Sequence, residues 1–141
     1  MANQAAVRSI LATVFVLVGL FQACGSQPPA EAGVIQGKLC YPSDYIPAMT
    51  VYAREVNTGE TVTVEVPENT PEYRLEVPGE ATYQVFAWTV DGLGGSYSRF
   101  VTCGLSVECT DHSLIPVPVG AGQTVTGIDV CDFYGGTVPE P

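Results

Sequence analysis

Between residues 34 and 134 the chain reads as short β-strands punctuated by turns, and no stretch holds a helical apolar period with caps at both ends. In 49–56, Met49, Val51 and Ala53 fall on one face and Thr50, Tyr52 and Arg54 on the other. In 72–77, Tyr73, Leu75 and Val77 alternate with Glu72, Arg74 and Glu76. A period of two suits antiparallel strands with one buried face. Candidate strands are 34–39, 49–56, 61–66, 72–77, 82–90, 97–103, 113–119 and 124–131. Turns are read at Asn57-Thr58-Gly59, at Pro78-Gly79, and at Gly92 with Gly94-Gly95. In 82–90 both faces are apolar, Tyr83, Val85 and Ala87 against Phe86, Trp88 and Val90. That strand is expected to be central and covered on each side, or to have a patched outer face, with Trp88 in the core. Seven or eight strands in about 100 residues predict one all-β domain, a single antiparallel β-sandwich.

Four cysteines fall inside this region, Cys40, Cys103, Cys109 and Cys131, and a fifth, Cys24, precedes it. Four cysteines in an exported domain of this size make two disulfides, with three pairings open. The favoured pairing is Cys103–Cys109, which flanks a short loop, with Cys40–Cys131, which joins the two ends of the domain. Zinc is disfavoured because the Cys103/Cys109 spacing exceeds that of a structural knuckle. No Cys-x-x-Cys redox motif is present.

Export is read from residues 10–21, ILATVFVLVGLF, which follow Arg8. Twelve residues are too few to cross a bilayer, which takes about 20, but suit the apolar part of a signal. The following Phe21-Gln22-Ala23-Cys24 resembles the cleavage box of bacterial lipoproteins, although Phe21 and Gln22 depart from its commonest form. The resemblance implies cleavage before Cys24 and a thioether-linked diacylglycerol with an N-acyl chain, palmitate for example, on that residue. The expected organisation is a signal peptide over 1–23, an anchored linker over 24–33, the sandwich over 34–134 and a flexible tail over 135–141. The alternatives are an ordinary signal cut after Ala23 and a retained membrane anchor. The expected location is the bacterial cell envelope, facing periplasm or exterior. Membrane contact is expected to run through the lipid on Cys24.

Charge narrows the partners. Lys38, Arg54, Arg74 and Arg99 are the only basic residues beyond Cys24, against all fifteen acids, and the whole chain has a formal charge of −10. Nucleic acid needs a basic surface, and so is excluded as a partner. The acids are scattered between apolar residues and read as a solvated face.

The run VIQGKLCYPSDYIPAMTVYAREVNTGE, then YRLEVPGEATYQVFAW, resembles the carboxypeptidase regulatory-like, transthyretin-like group of β-sandwiches. Gly37 matches the family's opening glycine, Pro47 the proline before its second strand, and Pro78-Gly79 its hairpin, lengthened here by Glu80-Ala81-Thr82. VPVGAGQTVTGIDV resembles its last hairpin, turning at Gly120–Gly122. The resemblance implies a transthyretin-like or immunoglobulin-like sandwich and an accessory or surface module without catalysis of its own. Fold analogy alone assigns no function.

Asp111 and His112, beside Cys109, are the most enzyme-like group, and His112 is the only histidine. A hydrolase would need a nucleophile in reach of that ring and an acid orienting it. Ser113 is adjacent but points to the opposite face if the segment is a strand, and no Gly-x-Ser-x-Gly elbow exists. The alternative role for Asp111 and His112 is to fasten the loop after the disulfide. Asp91, Asp111, His112, Asp129 and Asp132 are the candidate metal ligands, with calcium the cofactor considered, since it favours six to eight oxygens. Tyr41, Tyr45 and Tyr134, close to Pro, Asp or Gly, are the candidate binding aromatics for a glycan or an envelope protein. The leading expectation is a non-enzymatic envelope lipoprotein module for protein binding or structural support. A carbohydrate-binding module and a small hydrolase or metal-dependent enzyme centred on Asp111 and His112 are the alternatives.

Overall fold

The computed structural model describes residues 30–141. The expected signal, Cys24 and most of the linker lie outside the described residues. Among the described residues eight strands form two sheets around one hydrophobic core. They are β1 (Gly33–Lys38), β2 (Met49–Glu55), β3 (Thr61–Val66), β4 (Glu72–Val77), β5 (Ala81–Thr89), β6 (Gly94–Ser96), β7 (Val117–Val119) and β8 (Thr124–Val125). One sheet has the order β4-β1-β8; the other runs β3-β2-β5-β6, with β7 also on β5. All pairings are antiparallel except β1 with β8, which is parallel. The core is filled by the alternating residues: Met49, Val51 and Ala53 from β2, Tyr73, Leu75 and Val77 from β4, and Tyr83, Val85 and Ala87 from β5.

Both disulfides are present, Cys40–Cys131 with Cα atoms 4.5 Å apart and Cys103–Cys109 with 6.4 Å. The first ties the chain just past β1 to the segment that returns beside it. That return is made through backbone bonds: Ile128 N–H donates to the Gln36 carbonyl, Val130 N–H to Lys38, and Cys40 N–H back to Val130. Gly37 makes the approach feasible, because a Cβ there would stand 2.1 Å from the Ile128 carbonyl oxygen.

Three expected strands differ. Instead of a strand over 97–103, the sheet continues at β6, and Arg99–Thr102 forms a four-residue helical turn, α1, with Phe100 buried. Gly95, expected in a turn, lies in β6 because the Phe133 ring fills the space of its missing side chain. The expected strand 113–119 shrinks to β7, because 98–114 is an excursion off the sheet edge that rejoins it only at the Ser98–Leu114 bridge. The expected strand 124–131 is only β8 plus a bridge at Val130, since Gly127 takes a positive φ of 75° and breaks the ladder.

Trp88 is not in the core. The alternation of β5 sends Tyr83, Val85, Ala87 and Thr89 inward and Phe86 and Trp88 outward. There Trp88 is half-buried, and its indole N–H donates to the Pro139 carbonyl at 2.8 Å. Within the segment 135–141, read from sequence as a flexible tail, residues 138–141 therefore lie against the outer face of the five-stranded sheet, while Gly135 and Gly136 pass beside His112. At the other end of the domain Gly33, expected in the linker, opens β1, and the Glu31 carbonyl accepts the Gly122 N–H.

Candidate functional site

The chemistry-bearing residues gather at the neck of the 98–114 excursion. Ser98 pairs with Leu114 across it, the Arg99 N–H donates to the Ser113 carbonyl, and the Ile115 N–H donates to Tyr97. Beneath the neck lies Asp132, itself paired with Ser96 through both backbone groups. Its carboxylate is fully buried and accepts three bonds. Ser98 Oγ donates to Oδ2 at 2.6 Å, His112 Nδ1 lies 2.8 and 3.0 Å from the two oxygens, and the Tyr134 N–H is 3.4 Å from Oδ1. A buried carboxylate is tolerable only with its lone pairs satisfied.

His112 is therefore oriented by an acid, as a general base would be, while its Nε2 bonds nothing among the described residues. Phe100 packs on its ring at 4.5 Å between centroids, and Tyr134 meets Phe100 edge-on at 5.9 Å. The connectivity is nevertheless wrong for nucleophilic catalysis. A nucleophilic serine must give its proton to imidazole Nε2. Here Ser98 is fully buried and its hydroxyl is spent on the same carboxylate that holds Nδ1. Ser113, the sequence neighbour, bonds Asp111 through its N–H at 2.9 Å.

Asp111 is consequently not part of the His112 set. Hydrogen bonds from Ser113 hold its carboxyl below the usual carboxylate range, and Arg99, 3.7 Å away, adds to the effect. The other candidate ligands are also dispersed. Asp129 accepts the Lys38 N–H at 2.8 Å, Asp132 is saturated under the neck, and Asp91 is exposed beside the Gly92 turn. Among the described residues no three of His, Cys, Asp and Glu converge as metal ligands. The acids considered for calcium are thus dispersed, with Asp111, Asp129 and Asp132 each serving its own stretch of backbone or side chain.

The three candidate tyrosines are likewise separated by their partners. Tyr41 packs edge-on to Phe133 at 5.3 Å against the core. Tyr45 is half exposed and donates its hydroxyl to Glu68, a bond that is the main reason its own pKa is raised. Tyr134 is 60% exposed beside Phe100. Ser98 was not among the expected site residues, because its partner is 34 positions away.

Above the neck the excursion ends in the loop closed by Cys103–Cys109. Gly104 and Leu105 both take positive φ, 94° and 55°, which turns the chain sharply within the loop. Leu105 stands partly exposed and Val107 is 96% exposed. The disulfide closes this loop on itself, and the carboxylate clamp at its neck fixes it to the sandwich. A broad groove lies elsewhere, a volume of about 640 Å³ over Lys38, Glu72, Arg74, Thr126 and Asp129 on the outer side of the small sheet. It is open and mixes both signs of charge. Comparison with known proteins found no matching family, no similar curated protein and no matching solved structure.

Proposed function

We propose that this chain is a non-enzymatic module of the bacterial cell envelope, tethered by lipid on Cys24 and working by contact with another envelope protein. The observation that carries the reading is that Ser98 and His112 share one buried carboxylate. That arrangement spends the serine on structure and makes the group a clamp that holds an excursion off the sheet edge. The clamped, disulfide-closed loop presents Leu105 and Val107 to solvent with Tyr134 also exposed. Exposed apolar side chains on a stiff support lose little freedom when covered, which favours protein contact. The resemblance to transthyretin-like sandwiches, whose members commonly serve as accessory modules, agrees with this reading.

The test presents the disulfide-intact domain to purified envelope proteins and glycans and, separately, to ester, glycoside and peptide substrates. Saturable binding to a protein, abolished by Val107→Asp, is the expected result. Turnover of any substrate that His112→Ala removes, with no protein bound, overturns it. The anchor has its own readout: intact mass after membrane extraction should show acylated Cys24, and an unmodified mature species would reject the tether.

A further inference from the structure

The outer face of the five-stranded sheet carries more aromatic surface than a solvated face needs. Tyr52 of β2 and Phe86 of β5 stack with ring centroids 5.2 Å apart and planes within 5°. The Arg54 guanidinium lies 5.2 Å from the Phe86 centroid, so Phe86 is fully buried although it points away from the core. Beside them Trp88 donates its indole N–H to the Pro139 carbonyl at 2.8 Å, and Arg54 Nη2 donates to the Glu140 carbonyl. Two donors on neighbouring strands thus hold two successive main-chain carbonyls. Val138 sits against Gly94, where a Cβ would come within 3.0 Å of it and 3.2 Å of the Trp88 ring.

The occupant's chemistry matches these donors. Residues 137–141 read Thr-Val-Pro-Glu-Pro. Each proline fixes its own φ and biases the residue before it toward extended backbone. Such a segment lacks N–H groups at alternate positions and exposes carbonyls, so a receptor reads it with side-chain donors and aromatic faces. Open space also remains beside the occupant, a volume of about 420 Å³ between Glu140 and Pro141 on one side and Thr50, Tyr52, Trp88 and Val90 on the other.

We propose that this aromatic groove is a binding site for proline-containing extended segments of a partner protein, and that residues 137–141 fill it in cis as an exchangeable occupant. A tethered occupant competes at an effective concentration of roughly millimolar. A partner segment therefore binds the full chain more weakly than a chain whose tail is removed. The site is distinct from the 103–109 loop, and Val107→Asp leaves it unchanged.

Trp88 is the only tryptophan, so its emission reports the groove directly. Ending the chain after Gly136 should shift that emission to the red and raise its quenching by acrylamide. Added TVPEP peptide should reverse both changes saturably, and a TVAEA peptide should bind at least about tenfold more weakly. The full chain should bind TVPEP about tenfold or more weakly than the shortened one. Unchanged emission on shortening, or no peptide binding at millimolar concentration by a shortened chain that still unfolds cooperatively, overturns the proposal. If shortening abolishes cooperative unfolding, full-length Arg54→Ala takes its place. It should show the same red shift, and unaltered emission in that variant overturns the proposal equally.

Discussion

Asp132 has no exposed surface, yet it is the hub of the neck, accepting from Ser98, His112 and the Tyr134 N–H. Removing a buried acceptor leaves its donors without partners, and that penalty exceeds the net value of the bonds themselves. Asp132→Ala should therefore destabilise the domain by about 2–4 kcal/mol, against about 1 kcal/mol for Ser98→Ala, measured by urea unfolding. A smaller loss for Asp132→Ala than for Ser98→Ala would show that the carboxylate is not the hub. Glu55 makes a second residue-scale case. Hydrogen bonds from Thr58, then Asn57, hold its carboxyl below the ordinary carboxylate range. A depressed folded pKa means that the unfolded state takes up protons first as the pH falls. Its contribution is complete above the unfolded value of about 4.3 and disappears as pH drops through the lower folded value. The stability advantage of the native chain over Glu55→Gln should thus be constant from pH 7 to 5 and shrink progressively as pH falls below the unfolded value of about 4.3. Urea midpoints from pH 7 downward measure it, and an advantage that stays undiminished as pH falls through the carboxylate range would show that the carboxylate charge is not the source.

At the scale of elements, β2, β3 and β4 were legible in the sequence almost to the residue, because their alternation is local and each buries one face. What the alternation could not show is what arrives from far along the chain. The two apolar faces of 82–90 announce a cover for Phe86 and Trp88, but nothing local says that residues 138–140 supply part of it. Ser98 carried no signal either, because its meaning comes only with Asp132. Residues 97–103 have strand-forming composition, yet Phe100 turns to meet His112 and Tyr134 instead of the sheet. In the sequence Gly37 stands out only through a family resemblance, whereas its physical role is the close pass of the Ile128 carbonyl. Gly37→Ala should push the 128–130 segment off β1 and cost about 1–3 kcal/mol, the usual range for an overpacked core position. Hydrogen exchange locates the damage: the Val130 amide, bonded to the Lys38 carbonyl, should lose protection before the β2 and β5 amides. Loss spread evenly over both sheets would contradict that account.

For the whole molecule, the weak side of the sandwich is the three-stranded sheet, where β8 meets β1 through only Val34–Thr124 and Ile35–Val125. Beyond that contact the backbone bonds of 128–130 and Cys40–Cys131, spanning 91 positions, hold the end of the domain to β1 and the chain just past it. Cys103–Cys109 spans 6 positions and closes only the exposed loop. Loop entropy assigns about 4–5 kcal/mol to the long bridge and about 2 kcal/mol to the short one, as a chain-statistics estimate. The two bridges should also fail differently. The double variant Cys40→Ser/Cys131→Ser should lower the urea midpoint of the whole domain and speed exchange throughout the β4-β1-β8 sheet. Cys103→Ser/Cys109→Ser should leave both sheets protected and speed exchange in 99–112 alone, because the Asp132 clamp still holds the neck. Equal losses, or the larger loss from the short bridge, would mean that the closed loop supports the sandwich instead of being carried by it.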